Sequence, residues 1–124
     1  MLPVSAPFHC KLMQPAADVM ARALADVVVK APVVPVIVNV LAAPLTEPVE
    51  ILRRLVEQIT DTVRWRESVA FMAAHGTTAF YELGSGKVLS GLIKRIADGV
   101  DTLAVGTPQD LEAFKLAFVA ARKF

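Results

Sequence analysis

The sequence predicts an α/β fold in which three short strands form a parallel sheet with helices on both of its faces. Residues 36–40, 78–83 and 102–105 are rich in β-branched and aromatic side chains, which is typical of strands. Between these runs, apolar residues recur at three- and four-residue steps, which is typical of helices packed on a core. Strands that alternate with helices are joined by crossovers, and crossovers place neighbouring strands parallel to one another.

The first helix is predicted over about residues 11–28. Pro15 is compatible with it because the first turn of a helix tolerates proline. Two prolines then interrupt the chain before the strand at 36–40, and residues 41–45 are predicted to form a loop. The apolar positions that define the helix are Met13, Ala17, Met20, Leu24 and Val27.

Two further helices are predicted before the second strand. Thr46 or Glu47 is expected to cap the first of them, with Pro48 in its opening turn. After a break, a second helix starts near Arg66 and is expected to stop at Gly76, since glycine readily adopts the backbone that ends a helix.

The last third of the chain is predicted to form a strand, a turn, a helix, a second strand and a second helix, in that order. Residues 84–86, Gly-Ser-Gly, form a tight turn into a helix that is expected to end at Gly99. A final helix is predicted to start here, with Thr107 as its cap, Pro108 directly after the cap and Asp110 as an acidic residue of the first turn.

Composition excludes several classes of function. A formal net charge of +1 with scattered Lys and Arg residues argues against nucleic-acid binding. The single cysteine, Cys10, excludes an internal disulfide framework and a multi-cysteine metal site, and fits a cytoplasmic protein. The most apolar stretch, residues 27–40, is interrupted by lysine, prolines and asparagine, so we expect neither a membrane span nor a membrane partner.

The chain is unusually apolar for its length of 124 residues. Hydrophobic residues make up 55% of it, and its mean hydropathy is +0.53. A small domain has a limited interior, so some of this apolar surface is expected to face another part of the same domain or an oligomer partner. The alternative is a core rich in alanine and valine.

Two stretches resemble a known enzyme family in combination. Residues 3–13, Pro-Val-Ser-Ala-Pro-Phe-His-Cys-Lys-Leu-Met, and residues 81–96, which begin Tyr-Glu-Leu-Gly-Ser-Gly-Lys-Val-Leu, resemble the malonyl-CoA:acyl carrier protein transacylases. Two further features support the resemblance: residues 31–40, and the spacing of Gln58, Val63 and Trp65. The family more often has proline where Ser85 stands.

The resemblance implies a specific place within the family's domain. All of the matching stretches lie in its C-terminal portion, and the G-x-S-x-G turn that carries the serine nucleophile is absent from this sequence. Residues 1–124 are therefore expected to be the C-terminal fragment of a single acyltransferase domain with an α/β-hydrolase-like fold. The missing N-terminal portion becomes an expected partner, and the fragment is expected to be inactive alone.

The resemblance also implies roles for three residues. His9 would be the general base and acid, Gln58 would orient it through a backbone carbonyl, and Phe8 would line the acyl pocket. The implied reaction of the parent enzyme is malonyl transfer from coenzyme A to acyl carrier protein in fatty acid biosynthesis. No cofactor is implied, because the coenzyme A thioester is a substrate, and no metal site is expected.

Two alternatives remain at this point. The chain could be a fragment of a polyketide synthase acyltransferase domain, or a non-catalytic remnant that binds carrier protein.

Weaker candidate residues have simpler structural explanations. Cys10 is expected to be buried and inert, because neighbouring residues at a helix start do not face each other. His75 is expected to occupy a helix C-terminus. Residues 84–86 could bind phosphate, but the sequence lacks a full phosphate-binding motif, so a packing turn is favoured. Lys87, Lys94 and Arg95 are expected to form a solvated helix face, with carrier-protein docking as the alternative.

Overall fold

The computed structural model describes residues 7–121, with side chains described up to residue 116. The chain divides into two compact units, one reaching to Ser68 and the other starting at Val69. The helices are α1 (Gln14–Ala25), α2 (Pro48–Glu57), α3 (Trp65–Ala74), α4 (Val88–Ile93) and α5 (Pro108–Ala121). The strands are β1 (Val36–Val38), β2 (Ala43–Leu45), β3 (Ala79–Leu83) and β4 (Asp101–Val105).

The first helical segment is shorter than predicted. A single 3-10 turn, Lys11–Met13, leads into α1, and Pro15 lies in the first turn of α1 as expected. The helix ends at Ala25 rather than near residue 28. The valines at 27–29 explain the difference, since β-branched side chains lose rotamer freedom in a helix.

The first predicted strand is one arm of an antiparallel hairpin. Strand β1 pairs with β2 in the antiparallel register Val36 with Leu45 through Val38 with Ala43. The expected parallel pairing is therefore wrong for this strand. The segment 41–45, which was predicted to be a loop, contains β2. A tight turn joins the two strands, in which the amides of Leu41 and Ala42 both donate to the Val38 carbonyl. Such a short loop closes at small entropic cost.

Several ion pairs form within helix α2. Glu47 occupies the N-cap position, and Pro48 is in the first turn as predicted. The Arg54 guanidinium pairs with Glu50 one turn earlier and with Glu57 one turn later. These pairs join successive turns on one side of the helix, while Ile51 is buried.

Helix α3 stops where the sequence predicted. Gly76 has a φ of +89°, a conformation that glycine adopts without the strain of a Cβ atom. Its amide donates to the Ala73 carbonyl, and the amide of Thr77 donates to the Met72 carbonyl. These bonds satisfy carbonyls that the end of the helix leaves without partners.

The second unit contains the parallel pairing expected of an α/β fold. Strand β3 pairs with β4 in parallel from Ala79 with Asp101 to Leu83 with Val105, and α4 lies between them in the chain. Helix α5 begins at a reciprocal cap, in which the Asp110 amide donates to Thr107 Oγ1 and the Thr107 amide donates to the Asp110 carboxylate. Both strands and the cap confirm the sequence prediction, whereas α4 ends at Ile93 rather than at the expected Gly99.

We predict that Gly106→Ala destabilises the second unit. A Cβ atom at residue 106 would lie 2.6 Å from the Gly84 carbonyl oxygen, a backbone atom that cannot move aside cheaply. We expect a loss of about 1–3 kcal/mol in the free energy of unfolding, measured by urea titration. The matched control is Gly91→Ala in α4, where a Cβ meets nothing within 4 Å. That variant should gain roughly 0.5–1 kcal/mol, and equal midpoints for the two variants would contradict the prediction.

Candidate active site

His9 and Gln58 are brought together although they are far apart in the chain. His9 lies in the segment before the 3-10 turn, and its ring Nδ1 is 2.7 Å from the carbonyl oxygen of Gln58. A carbonyl oxygen can only accept, so Nδ1 carries the proton. When the ring is neutral, Nε2 is then left with a free lone pair and can act as a base.

The end of helix α2 explains why this carbonyl is available. The last helical residue is Glu57, and Gln58 follows it as the C-cap, with its amide donating to the Arg54 carbonyl. The final carbonyls of a helix have no partner within the helix. The imidazole N–H of His9 supplies one, at the end of the helix where the backbone dipoles carry partial negative charge.

The side chain of Gln58 is held as well. Its Oε1 accepts a hydrogen bond from Asn39 Nδ2 at 3.0 Å, in partly buried surroundings. Asn39 directly follows β1, and its own carbonyl accepts from the Arg64 amide at 2.9 Å. No role was assigned to Asn39 from the sequence; the available signal was a polar residue within the β-branched run at 36–40.

The backbone of His9 is held in an uncommon conformation. Its φ is +57°, in the left-handed region that residues with a Cβ seldom occupy. Such a conformation costs on the order of 1–3 kcal/mol and tends to occur at functional sites. The adjacent thiol is directed elsewhere, since Cys10 Sγ donates to the Pro7 carbonyl at 3.1 Å. Cys10 is half-buried rather than buried as expected.

The chain has close relatives of known kind, although no protein-family model matches it. The malonyl CoA-acyl carrier protein transacylase of Salmonella typhimurium is 47% identical over 112 residues, which are 90% of this chain and 36% of the relative. The acyl-carrier-protein S-malonyltransferase of Bartonella henselae is 48% identical, with a TM-score of 0.84 over 94% of this chain and 37% of that one. The chain is homologous to one part of the malonyl-CoA:acyl carrier protein transacylases.

A third relative was solved with its carrier protein. It is a malonyl-transacylase in complex with a type II polyketide synthase acyl-carrier protein, 38% identical, with a TM-score of 0.79 over 93% of this chain and 38% of that one. The chain thus spans about 36% to 38% of the length of these transacylases. The expected α/β acyltransferase fold class is confirmed by these matches.

Phe8, the expected pocket residue of the transacylase site, stands next to His9 with 56% of its surface exposed. A large aromatic ring left this open is free to contact a substrate or another segment of protein. Its role in the acyl pocket stays a prediction.

His75 occupies a helix terminus, as expected. Its Nδ1 is 2.7 Å from the Phe71 carbonyl oxygen, and its ring stacks on the Phe71 ring at 4.0 Å between centroids. Phe71 lies within helix α3, one turn before His75. These contacts account for His75 as a residue that ends its own helix.

Two amides at the start of α4, close after residues 84–86 in the chain, bond to a carboxylate of the same unit. The Glu82 carboxylate accepts from the Leu89 amide at 3.1 Å, and from the amide and hydroxyl of Ser90 at 2.8 and 2.7 Å. The hydroxyl of Ser90, and then the amides of Ser90 and Leu89, lower the pKa of Glu82. The packing turn favoured from the sequence is consistent with this arrangement.

Between residues 7 and 121, no three His, Cys, Asp or Glu side chains converge as metal ligands would. Over the same residues, every helix is too short or too polar to cross a bilayer.

We predict that Glu82→Gln weakens the fold at neutral pH and flattens its acid dependence. A carboxyl whose pKa is lowered by folding stabilises the native state above its ordinary pKa of about 4.3, and this contribution is lost as the pH falls through the lower folded value. Urea midpoints measured from about pH 6 to about pH 3 should therefore fall less in the variant than in the native chain. Glu112→Gln, which alters an exposed pair with Lys115, is the control. An unaltered pH dependence in Glu82→Gln would refute the prediction.

Proposed function

We propose that this chain supplies the histidine-bearing part of an enzyme that transfers malonyl groups from coenzyme A to acyl carrier protein in fatty acid biosynthesis. The observation that carries the proposal is the 2.7 Å contact between His9 Nδ1 and the Gln58 carbonyl oxygen. It leaves Nε2 as the nitrogen that can take up and return a proton, which is what general acid–base catalysis of acyl transfer requires.

In the proposed reaction, His9 Nε2 removes the proton from a serine hydroxyl as the serine oxygen attacks the thioester carbonyl of malonyl-CoA. The carbon–sulfur bond then breaks, and the imidazolium returns its proton to the departing coenzyme A sulfur. In the second half, His9 takes a proton from the thiol of the carrier protein, whose sulfur attacks the malonyl ester. The proton finally returns to the serine oxygen, and Gln58 stabilises the imidazolium in both halves.

The serine must come from another segment of protein, because this sequence has no G-x-S-x-G turn. We propose that this segment is the N-terminal portion of the same domain. Exposed apolar side chains support the proposal: Leu83 at the end of β3 is 74% exposed, whereas parallel strands are ordinarily covered on both faces. Other large apolar side chains with high exposure are Leu12, Val28, Val33, Val34 and Val49.

Acyl carrier protein is the proposed second substrate. The relative that was solved in complex with its carrier protein is 38% identical to this chain and supports this choice. The same relative supports the alternative, in which the carrier protein belongs to a polyketide synthase. Malonyl transfer between two sulfur atoms through a serine ester involves no net oxidation, so we propose that the reaction uses no resident cofactor.

The proposal predicts a malonyl adduct that depends on a second polypeptide. The purified chain is combined with a polypeptide that carries the serine turn, exposed briefly to malonyl-CoA and examined by denaturing intact-mass spectrometry. We expect the malonyl group on the second polypeptide and none on this chain. A complex that forms without any adduct would favour the non-catalytic remnant, and transfer to a polyketide carrier protein in preference to a fatty-acid one would favour the polyketide alternative.

A second prediction separates His9 from Gln58. In the reconstituted enzyme, His9→Ala should reduce the transfer rate by about 10²- to 10⁴-fold, the usual contribution of a general acid–base. Gln58→Ala should have a smaller effect, because alanine keeps the carbonyl that His9 contacts. His75→Ala is the control, since His75 makes a similar contact within its own helix, and it should leave the rate unchanged. Equal losses in the Gln58 and His9 variants would count against the assignment.

A further inference from the structure

We propose that Asn39 is a positioning residue, which aims the Gln58 carbonyl at His9 by holding the Gln58 side chain. The inference rests on the proposed function only in taking His9 as the catalytic base. Asn39 touches neither the ring of His9 nor a reacting atom, and it acts through Gln58 alone.

Gln58 is engaged at two points. Its carbonyl oxygen lies 2.7 Å from His9 Nδ1, and its Oε1 lies 3.0 Å from Asn39 Nδ2. The residue follows the last turn of α2, where a helix tends to fray and the direction of the carbonyl is weakly determined. A second attachment through the side chain restrains the φ and ψ angles of Gln58, and therefore the direction in which its carbonyl points.

Asn39 is itself well placed to serve as the fixed end. Its carbonyl accepts from the Arg64 amide at 2.9 Å. The Arg64 guanidinium donates to the Leu41 carbonyl at 3.0 Å, on the other side of the same turn. The turn after β1 is thus attached by two bonds to the residue that precedes α3, which makes it a firmer anchor than the end of α2.

The contact requires a side chain at residue 39 that can form a hydrogen bond with the Gln58 amide. Gln58 Oε1 is partly buried and needs a donor, because a buried polar atom without a partner is costly. Leucine has nearly the shape of asparagine but cannot donate. Aspartate cannot donate either, but it can accept from Gln58 Nε2 once the Gln58 amide rotates, so it preserves the attachment with the roles reversed.

The test reads the His9 ring directly and requires no enzyme activity. The ¹⁵N-labelled chain is examined by long-range ¹H–¹⁵N NMR at alkaline pH, where imidazoles are neutral and the protonated nitrogen can be identified. In the native chain we expect His9 to be protonated mainly at Nδ1. Asn39→Leu and Gln58→Met should each lower the ratio of the Nδ1–H to the Nε2–H form several-fold.

Two further variants and an internal control make the test specific. The double variant should lower the ratio no further than either single variant, because both remove the same bond. Asn39→Asp should retain the native ratio. His75, whose Nδ1 is also 2.7 Å from a helix carbonyl, should keep its tautomer in every variant.

Several outcomes would overturn the proposal: a native His9 without the Nδ1–H form, an unchanged ratio in Asn39→Leu and Gln58→Met, additive losses in the double variant, or failure of Asn39→Asp to retain the ratio. If Asn39→Leu unfolds, Gln58→Met removes the same contact and decides the matter.

Failure of the positioning role and failure of the proposed function give different results. If the tautomer responds as expected but the reconstituted native chain transfers no malonyl group, then the proposed function is wrong and the positioning role stands. In an active reconstituted enzyme, Asn39→Leu should lower kcat several-fold and leave KM for malonyl-CoA unchanged, because Asn39 contacts no substrate. A change confined to KM would contradict the positioning role.

Discussion

The end of helix α2 is the constraint on which the candidate site depends. A helix must leave its last carbonyls without internal partners, and at Gln58 one of them is matched by a ring nitrogen rather than by water or a glycine turn. That pairing selects the tautomer of His9 and so decides which nitrogen is basic. The backbone of His9 has a positive φ, a strained conformation, where the His9 ring contacts the Gln58 carbonyl.

His9 and His75 make the same kind of hydrogen bond in two different structural settings. Both place Nδ1 at 2.7 Å from a carbonyl oxygen of a helix. His75 reaches back one turn to Phe71 in its own helix, so the contact only completes a local ending. His9 reaches a residue 49 positions away, from a strained backbone, and such a contact forms only if the surrounding elements are already in place.

In the second unit, one carboxylate accepts hydrogen bonds from the start of helix α4. Helix α4 presents the backbone amides of Leu89 and Ser90 in its first turn, as helices that bind phosphate do, and the Glu82 carboxylate accepts from both of them and from the Ser90 hydroxyl. An internal carboxylate fulfils the same electrostatic requirement as a bound anion. The Glu82 contacts therefore stabilise the first turn of α4.

The sequence by itself determined the features that depend on neighbouring residues. Prolines and glycines marked the helix boundaries at Pro48 and Gly76, and runs of aromatic and β-branched residues predicted the parallel strands β3 and β4. Resemblance to a known family named His9 from residues 3–13 and Gln58 from its spacing to Val63 and Trp65. Tertiary structure alone decided the hairpin of β1 with β2 and the bond from Asn39 to Gln58. Both depend on how a tight turn directs side chains and amides in space, and no local pattern of residues encodes that direction.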